Sequence, residues 1–449
     1  MQTTGKKNQK LSLTGSVSLG TGVMIGAGIF VLIGQVAELV GDLFPVAFLA
    51  GAVVVAFSSY SYVKFSNAFP SSGGVARFLT KAYGPGTATG TFSLLMYVSM
   101  VVAESLVAGT FGAYVLRLFP EQYAGYASIL GVLLIAFAFI VNISGNRFIE
   151  QTATITAIIK VAGIALLAIA GLAVSGFPEI GATYVPQNSA AMPPGFAFVA
   201  ALALAILSYK GFTTITNQGG DIENPHKNVG RSIIISIAVC TVIYTVLALS
   251  VAGGLSIPEI IAAKDYALAE AARPVFGEWG IIMVIFLAII ATMSGVIASV
   301  FSASRLLGML SSMKQVPRLK AGGLNNPALI FTVALAMLLT LLFNLTRIAS
   351  IGAIFYLIMD IAIHWGLFRY LRKEVSFNPL IPLVALVLDV LILAAFIYTR
   401  YLNDPFVLIV AAIGLVLILA AERLFMFSHT DSEGRMHMGM DDDEMGEKM

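Results

Sequence analysis

Five ionisable side chains stand inside stretches that are otherwise apolar: Glu104 in VVAESLVAG, Lys160 in TAIIKVAGIALL, Lys210 in ILSYKGFTT, and Asp360 and Asp389 nearer the C-terminus. A charge at the centre of a bilayer costs about 2.5–3.5 kcal/mol on insertion scales, so each needs a partner, a cavity or a task. A lysine held in apolar surroundings can load and release a proton near neutral pH, which makes Lys160 a candidate proton-coupling residue. The alternative is a fixed structural ammonium. Glu104 and Lys210 admit two readings. They pair with each other, or one of them reads a charged group on a ligand, Lys210 an acidic one or Glu104 a basic one. The pair is favoured, because an unpaired buried ion is costly. On that reading Lys210→Ala alters ligand preference more than expression. Asp360 and His364 are four apart, hence on one helix face, where they would serve a proton path or a structural pairing. Asp389 is expected to pair locally or at a subunit contact.

The glycines raise a second question. GVMIGAGIFVLIG carries Gly22, Gly26, Gly28 and Gly34 within an apolar block. Glycine costs about 1 kcal/mol relative to alanine inside a helix. One reason to accept that cost is close packing, and Gly22-x-x-x-Gly26 fits the small-x-x-x-small pattern. The other is interruption: glycine eases unwinding and lets bare backbone reach a ligand. The sixth apolar block has its own oddity, Lys210-Gly211 at mid-span, five blocks later. In carriers built from inverted repeats, matching helices of the two halves are interrupted at the bilayer midplane, where freed backbone groups hold a ligand. Amides at a helix N-terminus attract an anion and free carbonyls attract an ammonium, so two such helices can grip both ends of a zwitterion. Gly20, Gly22 and Gly26 do not form a dinucleotide loop, because no strand precedes them.

The elements that must position these residues are transmembrane helices. Of 449 residues, 58% are hydrophobic and 11% charged, against about 25% charged in a soluble domain. The apolar residues fall in blocks long enough to span a membrane. Twelve spans are predicted, near 13–40, 43–66, 88–119, 124–142, 150–175, 195–221, 229–253, 275–305, 327–345, 347–370, 380–400 and 404–427. The split at Asn344 to Arg347 is the weakest. Most of the 26 Lys and Arg residues lie in the N-terminal tail and the even-numbered connections. Arg117, Lys264, Arg273, Arg347 and Arg400 lie in the others. That bias puts both termini in the cytoplasm. The connection Phe69 to Gly86 is then cytoplasmic. The external one, Gly253 to Arg273, is expected to hold a short surface helix around Pro258 to Glu270.

Four motifs, in order, carry a resemblance. GVMIGAGIF, FPSSGGVARFLTKAYGPG, SYKGFTTITNQGGDIENPHKNVGRSI and SASRLLGMLSSMKQVP resemble the first helix, the second-to-third-helix loop, the sixth helix and the end of the eighth helix of the amino acid–polyamine–organocation superfamily of transporters. The resemblance implies an all-α membrane protein of the LeuT-type 5+5 inverted-repeat fold, with twelve transmembrane helices and helices 1 and 6 interrupted. Its domains would be a cytoplasmic tail (1–12), a ten-helix core (13–370, repeats 13–175 and 195–370), two accessory helices (380–427) and a disordered acidic tail (428–449). It implies substrate between helices 1, 3, 6 and 8. The carboxylate site would be the backbone of Gly26, Ala27, Gly28 and Ile29. The ammonium site would be the carbonyls near Met24, Ile25, Ser208 and Tyr209, beside Gly211. Tyr209 and Phe212 would form part of a gate. In some sodium-independent relatives a lysine stands at the place of Lys160, where sodium-coupled relatives bind sodium. Two departures matter: Thr213 stands where relatives often carry Glu or Asp, and Lys210 where the residue is usually uncharged.

The implied function is secondary active import of amino acids or related small amines across the plasma (inner) membrane, by alternating access with proton symport. An obligate exchanger is the alternative, and a membrane nutrient sensor the alternative of another class. No nucleotide-binding loop, haem motif or metal-ligand cluster appears, so no cofactor is expected and energy should come from an ion or substrate gradient. An enzyme is not expected, because the polar residues concentrate at mid-depth rather than converging at one membrane face. The partners expected are a small-molecule substrate, protons and membrane lipid, with no nucleic acid; the oligomeric state is left open. Cys240 is the single cysteine, which excludes an intrachain disulfide. The C-terminal tail, with His429, Met436, His437, Met438 and Met440, reads as a solubilising segment rather than a metal site.

Overall fold

Helix ends follow local chemistry throughout. The computed structural model describes residues 10–428 apart from 72, 145, 182–194, 314 and 317–325. Both tails as far as residues 9 and 429, including the histidines and methionines named above, lie outside the described residues. The first apolar block forms α1 (Leu13–Ala27) and α2 (Ile29–Val40), followed by α3 (Phe44–Ala68). Ser12 caps α1 by accepting from the Gly15 amide at 3.1 Å. The connection expected to be a cytoplasmic loop contains α4 (Gly74–Tyr83) and leads to α5 (Thr87–Leu116). Next come α6 (Ala127–Ser144), α7 (Asn146–Ser175), α8 (Phe196–Tyr209), α9 (Thr213–Asn217) and α10 (Pro225–Gly254). The segment after α10, expected to be external, holds two short helices rather than one, α11 (Ile257–Ala262) and α12 (Ala267–Ala271). A capping box between Ser256 and Glu259 starts the first, satisfying two amides that would otherwise be orphaned. There α13 (Arg273–Ser312) begins, bent at Gly277, whose φ of 62° favours glycine.

The split of 327–370 falls where the side chains dictate. α14 (Pro327–Leu342) stops before Asn344, and α15 (Leu345–Tyr370) starts after it. The Asn344 side chain accepts from the Arg347 amide at 2.9 Å, an N-cap that fixes the turn. α16 (Leu380–Asn403) and α17 (Pro405–Ser428) complete the chain.

Among the described residues ten stretches are long and apolar enough to cross a membrane, counting Ile29–Ala68 as one, and Leu13–Gly26 and Pro327–Leu342 are shorter apolar helices. No strand is present among them; a lone bridge joins Leu11 to Ile222 and ties the start of α1 to the segment after α9. Large apolar side chains cover the outer face, such as Ile140 at 61% exposure and Leu417 at 63%. In water that would be an aggregation surface; in lipid it is the expected coat. The chain is a multi-pass membrane protein. α1 lies inside the bundle against α10, α7 and α13, while α16 packs on α15, α8 and α3. Lys264 pairs with Glu38 at 2.9 Å and Arg117 with Glu270 at 2.7 Å, tying the α11–α12 segment to α2 and the end of α5.

Candidate substrate site

The two interruptions lie against each other. α1 gives way to α2 at Gly28, whose φ and ψ of −92° and −58° stay near helical values. α8 passes into α9 through a tight 3₁₀ turn at Lys210–Phe212. Neither is an extended unwound segment. The Gly28 amide still donates to the Met24 carbonyl at 3.0 Å. Such turns keep backbone groups bonded, as an apolar interior requires. Glycine serves close approach here. A Cβ on Gly28 would stand 2.6 Å from the Cα of Ser208, and one on Gly211 2.6 Å from the Met24 amide nitrogen.

Beside this contact is a cavity of about 60 Å³, room for a handful of water-sized atoms. Of the residues anticipated from the sequence, Gly28, Glu104, Ser208, Lys210, Gly211 and Thr213 line it. Met24, Ile25 and Ile29 are fully buried beside it but are not part of its wall, nor is Gly26; the side chain of Ala27 lies outside the described residues. Tyr209 instead donates to the Phe48 carbonyl at 3.3 Å, and Phe212 sets its ring edge-on to Tyr62 at 5.2 Å. Missed by sequence reasoning were Tyr356 of α15, Thr214 of α9, and Gly295 and Ser299 of α13, which also line the cavity. Nothing in one sequence marks them, because their facing is decided by how α13 and α15 pack.

Glu104 is fully buried, and neither carboxyl oxygen has a hydrogen-bond partner. The expected pair with Lys210 is not formed. The Lys210 ammonium turns to Asp360 instead. Asp360 also accepts from Tyr62 Oη at 2.7 Å and Ser58 Oγ at 3.1 Å. That carboxylate offers the ammonium a prepared counter-charge, which Glu104, with no donors around it, does not. His364 lies one turn along α15. Its Nδ1 is 2.8 Å from Ser61 Oγ and its Nε2 3.2 Å from Ser58 Oγ. Nε2 is also 3.1 Å from Asp389 Oδ2 of α16, an ion-pair distance without hydrogen-bond alignment. Asp389 thus has a local partner. Asp360, His364 and Asp389 bring donor atoms within 4.8 Å of one another. The cation among them is the chain's own Lys210, so we read no metal site there.

Lys160 occupies the opposite side of α1. Its Nζ donates to the Gly22 carbonyl at 2.8 Å and to Ser294 Oγ at 3.0 Å. Hydrogen bonds from a charged donor are worth about 1.5–3 kcal/mol each. A Cβ on Gly26 would lie at ordinary contact distance, 3.5 Å, from the same Nζ but only 2.9 Å from the Ala291 carbonyl oxygen, so this glycine serves the close approach of α1 to α13.

Interrupted helices meeting at a buried, polar-tipped cavity inside a multi-pass bundle define a membrane carrier. The sequence profile of the amino acid permease family matches residues 11–421. The chain belongs to this family, within the amino acid–polyamine–organocation superfamily; it is a transporter family and not an enzyme family. The chain is 30% identical over 409 residues to the inner membrane transport protein YbaT of Escherichia coli, covering 89% of this chain and 93% of that protein. It is 23% identical to the serine/threonine exchanger SteT of Bacillus subtilis, over 91% and 95% of the two chains. It is 28% identical to the branched-chain amino acid permease BcaP of B. subtilis, over 56% of each.

Proposed function

We propose that the protein carries a small amino acid or a related small amine into the cell by alternating access, in symport with a proton. The observation that carries this reading is the position of Lys160. Its ammonium bridges α1 to α13, one turn from Gly26 and close to the interruption at Gly28. Deprotonated, it would release the Gly22 carbonyl and free α1 to move. Substrate would occupy the cavity lined by Gly28, Glu104 and Ser208, whose size suits a compact molecule. The unpartnered Glu104 would meet a substrate group that can donate a hydrogen bond. This reading includes the twelve-span inverted-repeat fold, repeats at 13–175 and 195–370, and a plasma-membrane location with both termini cytoplasmic.

Obligate exchange is the second reading. It is favoured by the same lysine, because two neutral oxygens satisfy Lys160 as they would a fixed ammonium standing in for sodium. Purified protein in sodium-free liposomes with an alkaline interior separates the two. We expect a labelled amino-acid mixture to accumulate, the accumulation to collapse with a proton ionophore, and Lys160→Ala to equilibrate substrate without accumulating it. Exchange against preloaded amino acids with no net uptake would overturn symport.

A further inference from the structure

The group on α15 and α16 holds more charge than the substrate site needs. Lys210, Asp360, His364 and Asp389 are each no more than 2% exposed. Lys210 and Asp360 cancel. Asp389 then remains with no hydrogen-bond donor on either oxygen and only His364 at ion-pair distance. A bare carboxylate cannot persist there unpaired. One proton on the pair removes the imbalance, either as imidazolium with carboxylate or as imidazole with carboxylic acid. The surroundings accept both forms. Ser58 donates its only hydrogen to Asp360, so its oxygen is free to accept from His364 Nε2, and Ser61 can donate to or accept from Nδ1.

We propose that His364 and Asp389 form a proton-binding site, and that its occupancy sets how firmly Asp360 holds Lys210 away from the substrate cavity. With the proton present, the four groups are neutral together. Without it, they carry one negative charge, which draws the Lys210 ammonium further from the cavity wall it also lines. The step is one proton added or lost at an N–H or O–H bond. The link to the cavity rests on the reading of that cavity as the substrate site; the proton site itself does not.

The groups facing His364 are few. α16 offers Asp389, the turn after α8 offers Lys210, α3 offers Tyr62 with its ring 6.5 Å away, and α15 itself offers Asp360. The other helices packed on α15 direct their ionisable groups elsewhere. Glu104 of α5 faces the cavity, and Glu422 of α17 lies against Gly90. Glu38 of α2 pairs with Lys264, Lys81 of α4 lies over the Phe69 ring, and Tyr209 of α8 donates to Phe48. Tyr83 of α4 donates to the Ala362 carbonyl at 2.6 Å.

The test begins with unfolding of the purified full-length protein across pH, with no substrate. If the folded state binds a proton that the unfolded state does not, stability falls as pH rises through that window. Asp389→Asn makes the cluster neutral without the proton. It should cut the slope of melting temperature against pH by at least about half and be the more stable form at alkaline pH. His364→Gln/Asp389→Asn, lacking both titrating groups, should lose the slope equally and serves if the single variant does not fold. Parallel slopes in wild type and variants would overturn the proton site. The second measurement is uptake of a labelled L-amino-acid mixture by proteoliposomes against pH. A flattened profile in Asp389→Asn supports the link to the cavity, and an unchanged profile overturns it. No uptake by the wild type at any pH overturns the functional reading and the link with it, while the stability slopes still decide the proton site.

Discussion

Removing the Lys210 ammonium would leave Asp360 charged and fully buried, with only Tyr62 and Ser58 as donors. Breaking a buried ion pair from one side costs about 3–5 kcal/mol. Lys210→Ala should therefore lower folded yield and melting temperature. Adding Asp360→Asn should restore much of both, because the orphaned charge goes with it. Thermal unfolding of the two variants in detergent checks this, and a single variant as stable as wild type would refute it. The sequence alone points to the opposite outcome, an effect on preference rather than folding, because it makes Glu104 the partner. Charge content shows that Lys210 needs a counter-ion. It does not show which, since Asp360 is 150 positions away and its suitability depends on hydroxyls donated by α3. The partnership of His364 with Asp389 was hidden for the same reason. The Asp360–His364 spacing was legible because four residues always return to one helix face.

At the scale of elements, the contact between the two interruptions leaves no room for a side chain on either glycine. A Cβ at Gly28 would also lie 2.6 Å from the Ser208 carbonyl oxygen. The atoms met at Gly28 and Gly211 include backbone, which cannot rotate aside as a side chain can. Overpacking of this kind costs about 1–3 kcal/mol. We expect Gly28→Ala and Gly211→Ala each to lower melting temperature and to reduce uptake severely. Gly22→Ala, whose Cβ would meet the Ala157 methyl at 3.3 Å, should be milder. Equal behaviour of all three would show that the helix contact is not what these glycines protect. The glycine cluster and the Lys210-Gly211 step located both interruptions in the sequence. The sequence favours unwinding over close packing as the reason for the glycines, and it misleads because the answer lies in the distance between α1 and α8. Here the near-helical turn at 28 and the 3₁₀ turn at 210–212 favour close packing.

For the whole molecule, the apolar blocks and the Lys and Arg bias make an orientation that can be read directly. Cys240 is fully buried, so the native thiol is a silent background. Glu259 on α11 and Glu374 beyond α15 are both exposed. A membrane-impermeant maleimide should label Glu259→Cys in intact cells and Glu374→Cys only after permeabilisation. The reverse pattern would invert the proposed topology. Long hydrophobic runs made most spans legible, and Asn344 marked the turn between α14 and α15 by its capping chemistry. The short helices α4, α11 and α12 were harder, since polar connections carry no long period. The cavity wall supplied by Tyr356 and Ser299 was hardest, because packing alone chooses which side of a buried helix faces inward.

The Lys210–Asp360 pair also bears on how the chain is made. Lys210 is synthesised 150 residues before its counter-ion. At about 5–20 residues per second that is a delay of roughly 8–30 s. Throughout it the lysine has no Asp360 to meet, and leaving it alone in lipid is unfavourable. We expect the α8–α9 segment to settle stably in the membrane only after α15 has emerged. Segments 150 residues apart thus complete one buried ion pair, and a chain that stops after α10 lacks the counter-ion that Lys210 has in the finished protein.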